Sequence, residues 1–237
     1  GIGPPQHIDE EDSTQYPTDD DTAHDSDGEW DEGIIEPYKP ILMDPSARTL
    51  HYGQACFEGM KAYKDNNGKP WLFRPIENYK RIVKSCKRLA MPELPEKIFM
   101  DGVSKLVDLD KEWIKPGIGN SLYIRPFIFA DQPSINANEA NQYKFMIICA
   151  PAQLYYSGEM KVKIEKSFSR AAKGGVGYAK AAGNYAAQFY PTILARNEGY
   201  QQIIWTDAAS HKYIEEAGTM NLFFRVGNKL ITPPVND

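Results

Sequence analysis

The chain has 237 residues, 42% of them hydrophobic and 25% charged, with a formal net charge of −5, enough apolar side chain for one large core or two modest ones. The acidic balance removes the electrostatic case for nucleic acid as the main partner, and no apolar run reaches the roughly 18 residues of a membrane span. The three cysteines, Cys56, Cys86 and Cys149, are too scattered for a CxxC pair, a metal-ligand spacing or a disulfide framework, which fits a reducing compartment.

Residues 1–29 read as an acidic, disordered leader. Lys and Arg are absent before Lys39, Asp and Glu are crowded, and few large apolar side chains offset the entropy of ordering. An acidic metal loop is the alternative there, but no EF-hand spacing is present. With no basic, apolar targeting pattern in this stretch, the cytoplasm is the expected location.

Globular character starts near Trp30. The spacing predicts amphipathic helices over 78–90, with Ile82, Val83, Cys86 and Leu89 on one face, and over 95–109, with Ile98, Phe99, Val103, Leu106 and Val107 on one face. Pro95 suits a first helical position. Strands are expected over 121–129, 143–149 and 161–165. A glycine-rich segment (Gly174, Gly175, Gly177) then leads into a helix over 184–197, stopped by Gly199 and open to a kink at Pro191. Two further strands are expected over 202–206 and 221–226. The order is mixed α and β, so the expected fold class is α/β (α+β). The expected organisation is a small α/β domain over 30–157, an interdomain loop over 158–168 where Ser157-Gly158 interrupts the pattern, and the N-terminal part of a larger, β-rich domain over 169–237.

The stretch from Gly174 to Tyr185 places Lys180 among small residues. Glycines permit close approach of a flat ligand, and a desolvated lysine can lose its proton and attack an aldehyde to form an imine. On spacing alone, Lys180 reads as a solvated surface amine like most of the chain's lysines. Gly-Gly-Val-Gly-x-x-Lys-x-x-Gly-Asn-Tyr resembles the cofactor-lysine motif of the branched-chain aminotransferases, pyridoxal-phosphate enzymes of fold type IV. Four further blocks are similar to that family's, in the same order: 50–63 (Leu50-His51-Tyr52-Gly53 through Phe57-Glu58-Gly59 to Tyr63), Leu72-Phe73-Arg74-Pro75, Ser121-Leu122-Tyr123-Ile124-Arg125-Pro126 and Glu216-Ala217-Gly218-Thr219-Met220-Asn221. The resemblance spans about residues 30–237.

The resemblance implies a role for each matching position. Lys180 would bind pyridoxal 5'-phosphate as an imine and then shuttle the substrate proton. Glu216, with Ala217 beside it, would face the pyridine nitrogen, Arg74 would grip the phosphate, and Tyr185 would donate to the ring's phenolic oxygen. Tyr52, Tyr123 and Tyr155 would line an apolar substrate pocket. Arg125, two residues after Tyr123 and so on the same strand face, would take the glutamate carboxylate. The backbone at Gly218-Thr219 would help bind the α-carboxylate. Read without the resemblance, Glu216 is a solvated charge beside Glu215, Arg74 a surface arginine and the tyrosines core aromatics; an arginine amid Tyr, Ile and Phe, however, needs a partner.

The implied activity is transfer of an amino group from leucine, isoleucine or valine to 2-oxoglutarate. Small-molecule substrates are the expected partners, in a homodimer with no nucleic acid, membrane or metal. A D-amino-acid aminotransferase or an aminodeoxychorismate lyase is the near alternative within the fold. A non-catalytic relative acting through a full-length partner is the other, because members of the family continue beyond the position matching Asp237 and the C-terminal part of the second domain is expected to be missing.

Overall fold

The computed structural model describes residues 29–153, 158–218 and 220–234, together with the backbone of 14–17. It divides into two compact units, residues 1–155 and 156–237.

Among the described residues, the first unit carries a seven-stranded sheet of β1 (Thr14–Pro17), β2 (Glu36–Pro37), β3 (Ala55–Phe57), β4 (Met60–Lys64), β5 (Pro70–Leu72), β6 (Ser121–Ala130) and β7 (Tyr143–Ala152). The order is β2-β1-β7-β6-β4-β5, with β3 also on β6. Strand β1 lies within the stretch expected as an acidic, disordered leader. Thr14-Gln15-Tyr16-Pro17 interrupts the acidic runs with four uncharged residues, and it pairs antiparallel with both β7 and β2, supplying backbone partners that a sheet edge otherwise lacks. The rest of the leader up to residue 28 lies outside the described residues.

One face of the sheet is covered by α2 (Pro75–Arg88) and α3 (Glu96–Asp110). Strand alternation sends Leu122, Ile124 and Ile128 into a core shared with Ile82, Cys86, Phe99, Val103 and Leu106. It leaves Tyr123, Arg125 and Phe127 half-buried on the other face. Helix α2 starts three residues before the periodic stretch because Pro75 pre-sets the first turn.

Strands β3 and β4 follow a single register along β6: Phe57 lies opposite Phe127 and Met60 opposite Ile124. Glu58 and Gly59 therefore stand opposite Pro126 and Arg125. Pro126 has no N–H to donate, so the ladder is closed there only by Glu58 N–H to the Pro126 carbonyl at 2.7 Å. A single proline thus divides one long strand in two at the residues nearest Arg125.

In the second unit, β8 (Val162–Ile164), β9 (Gln202–Thr206) and β10 (Ile214–Ala217) form a sheet in the order β10-β9-β8. The parallel β8–β9 pair is connected through helix α4 (Ala182–Asn197), the long crossover that parallel strands require. The strand expected over 161–165 is β8, whose Val162-Lys163-Ile164 finds its ladder partner in β9; it falls inside the stretch 158–168 that was also expected to serve as the interdomain loop. Ala195 of α4 packs on Ile203 and Trp205 of β9. The helix runs through Pro191 without a break, and Gly199, at φ 88°, ends it with its N–H on the Arg196 carbonyl at 2.9 Å. The strand expected over 221–226 is reduced to β11 (Phe224–Val226), paired with β12 (Lys229–Ile231). Among the described residues no helix is long and apolar enough to cross a membrane.

Phe99 is fully buried, with its ring centroid 6.2 Å from that of Phe145 and 5.7 Å from that of Tyr79. Phe99→Ala should cost about 3–5 kcal/mol of stability, read by urea unfolding; a loss below about 1 kcal/mol would show that α3 does not anchor this core.

Candidate functional site

Lys180 sits in the loop immediately before α4, and two devices fix that loop. Asn184, buried in the first turn of α4, donates from Nδ2 to the carbonyls of Val176 and Ala179, each at 2.9 Å. Gly177 passes so close to Ala171 that a Cβ added there would lie 2.3 Å from the alanine Cβ, so position 177 takes no side chain without displacing the loop. The half-buried Lys180 Nζ donates to Tyr185 Oη at 2.6 Å and lies 5.0 Å from the ring centroid. Tyr185, five residues on and one turn into α4, is thereby oriented with its hydroxyl on the amine.

Glu216 reaches the same neighbourhood from β10. It pairs with Trp205 of β9 just after a register shift between Ile214 and Glu216, the kind of irregularity that re-aims a side chain. Its carboxylate Oε1 is 2.5 Å from Arg170 Nε. The N–H is not aligned for a hydrogen bond, so the contact is an ion pair by proximity. Burial pushes the Glu216 carboxyl above the ordinary carboxylate range, against the opposing charge of Arg170; Glu215 adds to the rise, and the ammonium of Lys180 opposes it. Glu215 is also raised by burial, but the charges acting on it are Arg170 and Asp207. Of the two adjacent glutamates, Glu216 is the one that feels the lysine. Amine and phenol are thus brought together, and the carboxylate of the same unit lies within electrostatic reach of the amine.

The turn after β10 is closed by its own backbone. Ala217 N–H donates to the Met220 carbonyl at 2.9 Å, Met220 N–H returns to Ala217 at 2.8 Å, and Gly218 N–H is taken by the Ile203 carbonyl at 2.8 Å. Of the Gly218-Thr219 backbone expected to help bind a substrate carboxylate, the Gly218 amide is bonded within the unit. Thr219 lies outside the described residues, as does Tyr155.

The first unit holds a second constellation. Arg125 Nη2 donates to Tyr123 Oη at 2.6 Å, and the guanidinium lies over the Phe57 ring at 4.5 Å and the Tyr123 ring at 5.2 Å. Its buried Nε has no hydrogen-bond partner among the described residues, a costly state for a charged group. Gly59, across from Arg125, makes the room: a Cβ there would lie 2.4 Å from Tyr123 Oη. Beside it the fully buried Glu58 accepts Arg81 Nε at 2.5 Å, Arg81 Nη2 at 2.7 Å and Asn78 Nδ2 at 2.8 Å. This ties α2 to the strand. Arg74 caps α2 in the left-handed region at φ 50°, with a largely exposed side chain 3.7 Å from Glu77; a non-glycine residue held there is strained, a condition that clusters at ligand sites. Tyr52, at the end of α1 (Arg48–Tyr52), donates its hydroxyl to the Ile135 carbonyl.

Arg170, Glu58, Gly59 and Asn184 were not singled out from sequence. Glu58 and Gly59 lie in a block that carries the resemblance, but their strand setting was not read; Arg170 had no signal.

A lysine amine held on a phenol beside a half-buried carboxylate defines a site suited to carbonyl chemistry. Residues 55–237 match the model of the amino-transferase class IV family, and the chain belongs to that family. It is 46% identical over 217 residues to a probable branched-chain-amino-acid aminotransferase of Staphylococcus epidermidis, covering 90% of this chain and 60% of that protein. It is 43% identical over 211 residues to branched-chain-amino-acid transaminase 1 of Bacillus subtilis, covering 87% and 59%. The branched-chain amino acid aminotransferase of Escherichia coli superposes with a TM-score of 0.69 at 28% identity, covering 86% of this chain and 65% of that one. The chain thus spans about 60% of the length of the curated relatives it matches.

The raised acidity constant of Glu216 has a testable sign. A carboxyl whose folded value lies above the reference of 4.5 contributes stability that is present below pH 4.5 and lost as pH rises through the folded value. Glu216→Gln removes that dependence, so the variant should gain stability relative to the unaltered chain between about pH 4.5 and 7, measured by urea unfolding at both. A gap that stays constant or narrows would contradict a raised Glu216.

Proposed function

We propose that this chain carries the cofactor lysine and much of the substrate site of a pyridoxal-phosphate-dependent transaminase acting on leucine, isoleucine and valine, with 2-oxoglutarate as the amino acceptor. The observation that carries this reading is the Lys180–Tyr185 bond beside Glu216. The donor set fits the cofactor: a primary amine for an aldehyde, a phenol for a phenolic oxygen, and a buried carboxylate for a ring nitrogen.

In this reading Lys180, Tyr185 and Glu216 would hold the ring, with Ala217 beside it, and Arg74 would hold the phosphate through its fork of donors. When bound, pyridoxal phosphate supplies an electron sink that makes the Cα–H bond of an amino acid acidic. Lys180 Nζ then takes the proton from the substrate Cα and returns one, acting as base and then acid. Tyr185 Oη positions that amine. The Glu216 carboxylate keeps a proton on the nitrogen it faces, which requires it to be ionised at working pH.

Substrate choice belongs to the face of β6. Tyr123 and Phe57 offer aromatic surface for a branched side chain, and Tyr52, Tyr155 and Thr219 belong to the proposed pocket on sequence grounds. Arg125, with one buried donor awaiting an acceptor, suits the side-chain carboxylate of glutamate or 2-oxoglutarate. One site thereby serves two unlike substrates, an aromatic wall for one and a fixed cation for the other. A homodimer in the cytoplasm completes the proposal: symmetric pairs are the commonest assembly, and the three buried cysteines are free thiols.

Cofactor added to the purified chain and reduced with borohydride should leave a mass addition that maps to Lys180 and disappears in Lys180→Ala. An addition spread over surface lysines, unchanged in that variant, would reject the reading. Arg125→Gln should weaken use of glutamate by roughly 10- to 100-fold, the loss of a charge-assisted bond of about 1.5–3 kcal/mol, while leucine changes little. An equal loss for both, read from kcat/KM, would remove Arg125 from the carboxylate.

A further inference from the structure

We infer that Arg170 is a positioning residue: one guanidinium bridges the Glu216 carboxylate and the loop that carries Lys180, and so sets the place of both. The inference rests on the reading above for its catalytic meaning, but not for its geometry.

Arg170 sits between β8 and the glycine-rich loop, with its side chain mostly buried. Its Nε lies 2.5 Å from Glu216 Oε1, and its Nη1 donates to the Gly177 carbonyl at 3.3 Å. Gly177 is the residue packed against Ala171, next to Arg170 in the chain. It is three residues before Lys180, in the segment that Asn184 staples at Val176 and Ala179. A shift of the guanidinium would therefore move the carboxylate on β10 and the lysine loop together.

The electrostatics point the same way. The charged groups that act on Glu216 are Arg170 from the segment before the loop, Glu215 from its own strand and Lys180 from the loop. Its cross-strand neighbour on β9, Trp205, is uncharged. Burial and Glu215 favour the neutral acid; Arg170 and Lys180 favour the carboxylate, Arg170 the more strongly. Arg170 is thus the cation that does most to keep Glu216 ionised. The planar fork is suited to this, since it stays charged when buried and reaches two acceptors at once.

The test uses the whole chain without added cofactor, so its result stands apart from the transaminase reading. With glutamate carboxyl carbons labelled and the Glu216 signal assigned from Glu216→Gln, the Glu216 midpoint should move to higher pH in Arg170→Gln and stay near its original place in Arg170→Lys. In the unaltered chain the Arg170 Nε resonance should titrate with the same midpoint as the Glu216 carboxyl. Should Arg170→Gln not fold, this second measurement decides alone. A Glu216 midpoint indifferent to Arg170→Gln, or separate midpoints for the two resonances, would overturn the inference. With cofactor bound, Arg170→Gln should lower kcat at least tenfold with little change in KM, and Arg170→Lys should restore much of it. A chain that forms no adduct at Lys180 rejects the functional reading and leaves the titration to its own outcome.

Discussion

A carboxylate taken largely out of water needs compensation from its surroundings, and in the second unit that requirement organises everything near Lys180. Glu216 lies on a sheet strand among neighbours that favour its neutral form, and the balance is restored by one arginine and one lysine. Both cations arrive on a single segment, residues 170–180, whose path is fixed by glycine contacts at one end and by the Asn184 side chain at the other. The lysine is thus held by its phenolic partner and by the backbone beneath it, in the preorganised manner that reactive amines require.

The first unit addresses a related difficulty at Arg125. A guanidinium on a largely apolar face is flanked by two aromatic rings, bonded to one of their hydroxyls, and left with one buried donor unused. Two residues of the neighbouring strand permit the arrangement. Gly59 vacates the volume that the Tyr123 hydroxyl enters, and Glu58 turns away to meet Arg81 and Asn78 on α2. Pro126 marks the same spot by removing a ladder bond, so the sheet is least regular where the fixed cation stands. That irregularity is the usual company of a binding residue.

Much of the fold was legible where the pattern was long. Helices α2, α3 and α4 and strands β6, β7 and β9 follow from periodicity, and their ends differ from expectation by at most three residues. The short elements β3, β4, β5 and β10 were not legible. Ile-Glu-Glu-Ala carries no strand pattern and becomes β10 only because β9 offers a ladder. Thr14–Pro17 likewise carries no strand pattern in sequence and pairs with the edge of β7. Among site residues, Lys180, Tyr185 and Glu216 came from motif resemblance, and the structure adds their mutual geometry. Arg170 was not legible at all, since nothing in Ser-Arg-Ala-Ala distinguishes a buried bridge from a surface charge until β10 is folded against it. The engaged amide of Gly218 was likewise hidden, because it depends on a carbonyl fifteen residues away on β9.

The central claim is that the Lys180 amine is the group that meets the cofactor aldehyde. A crystal structure of the chain grown with pyridoxal phosphate tests it most directly. The predicted result is density joining Lys180 Nζ to the cofactor carbon, with Tyr185 Oη beside the phenolic oxygen and the Glu216 carboxylate on the ring nitrogen. Cofactor bound elsewhere, with Lys180 Nζ still resting on Tyr185 and Glu216 still paired only with Arg170, would contradict it.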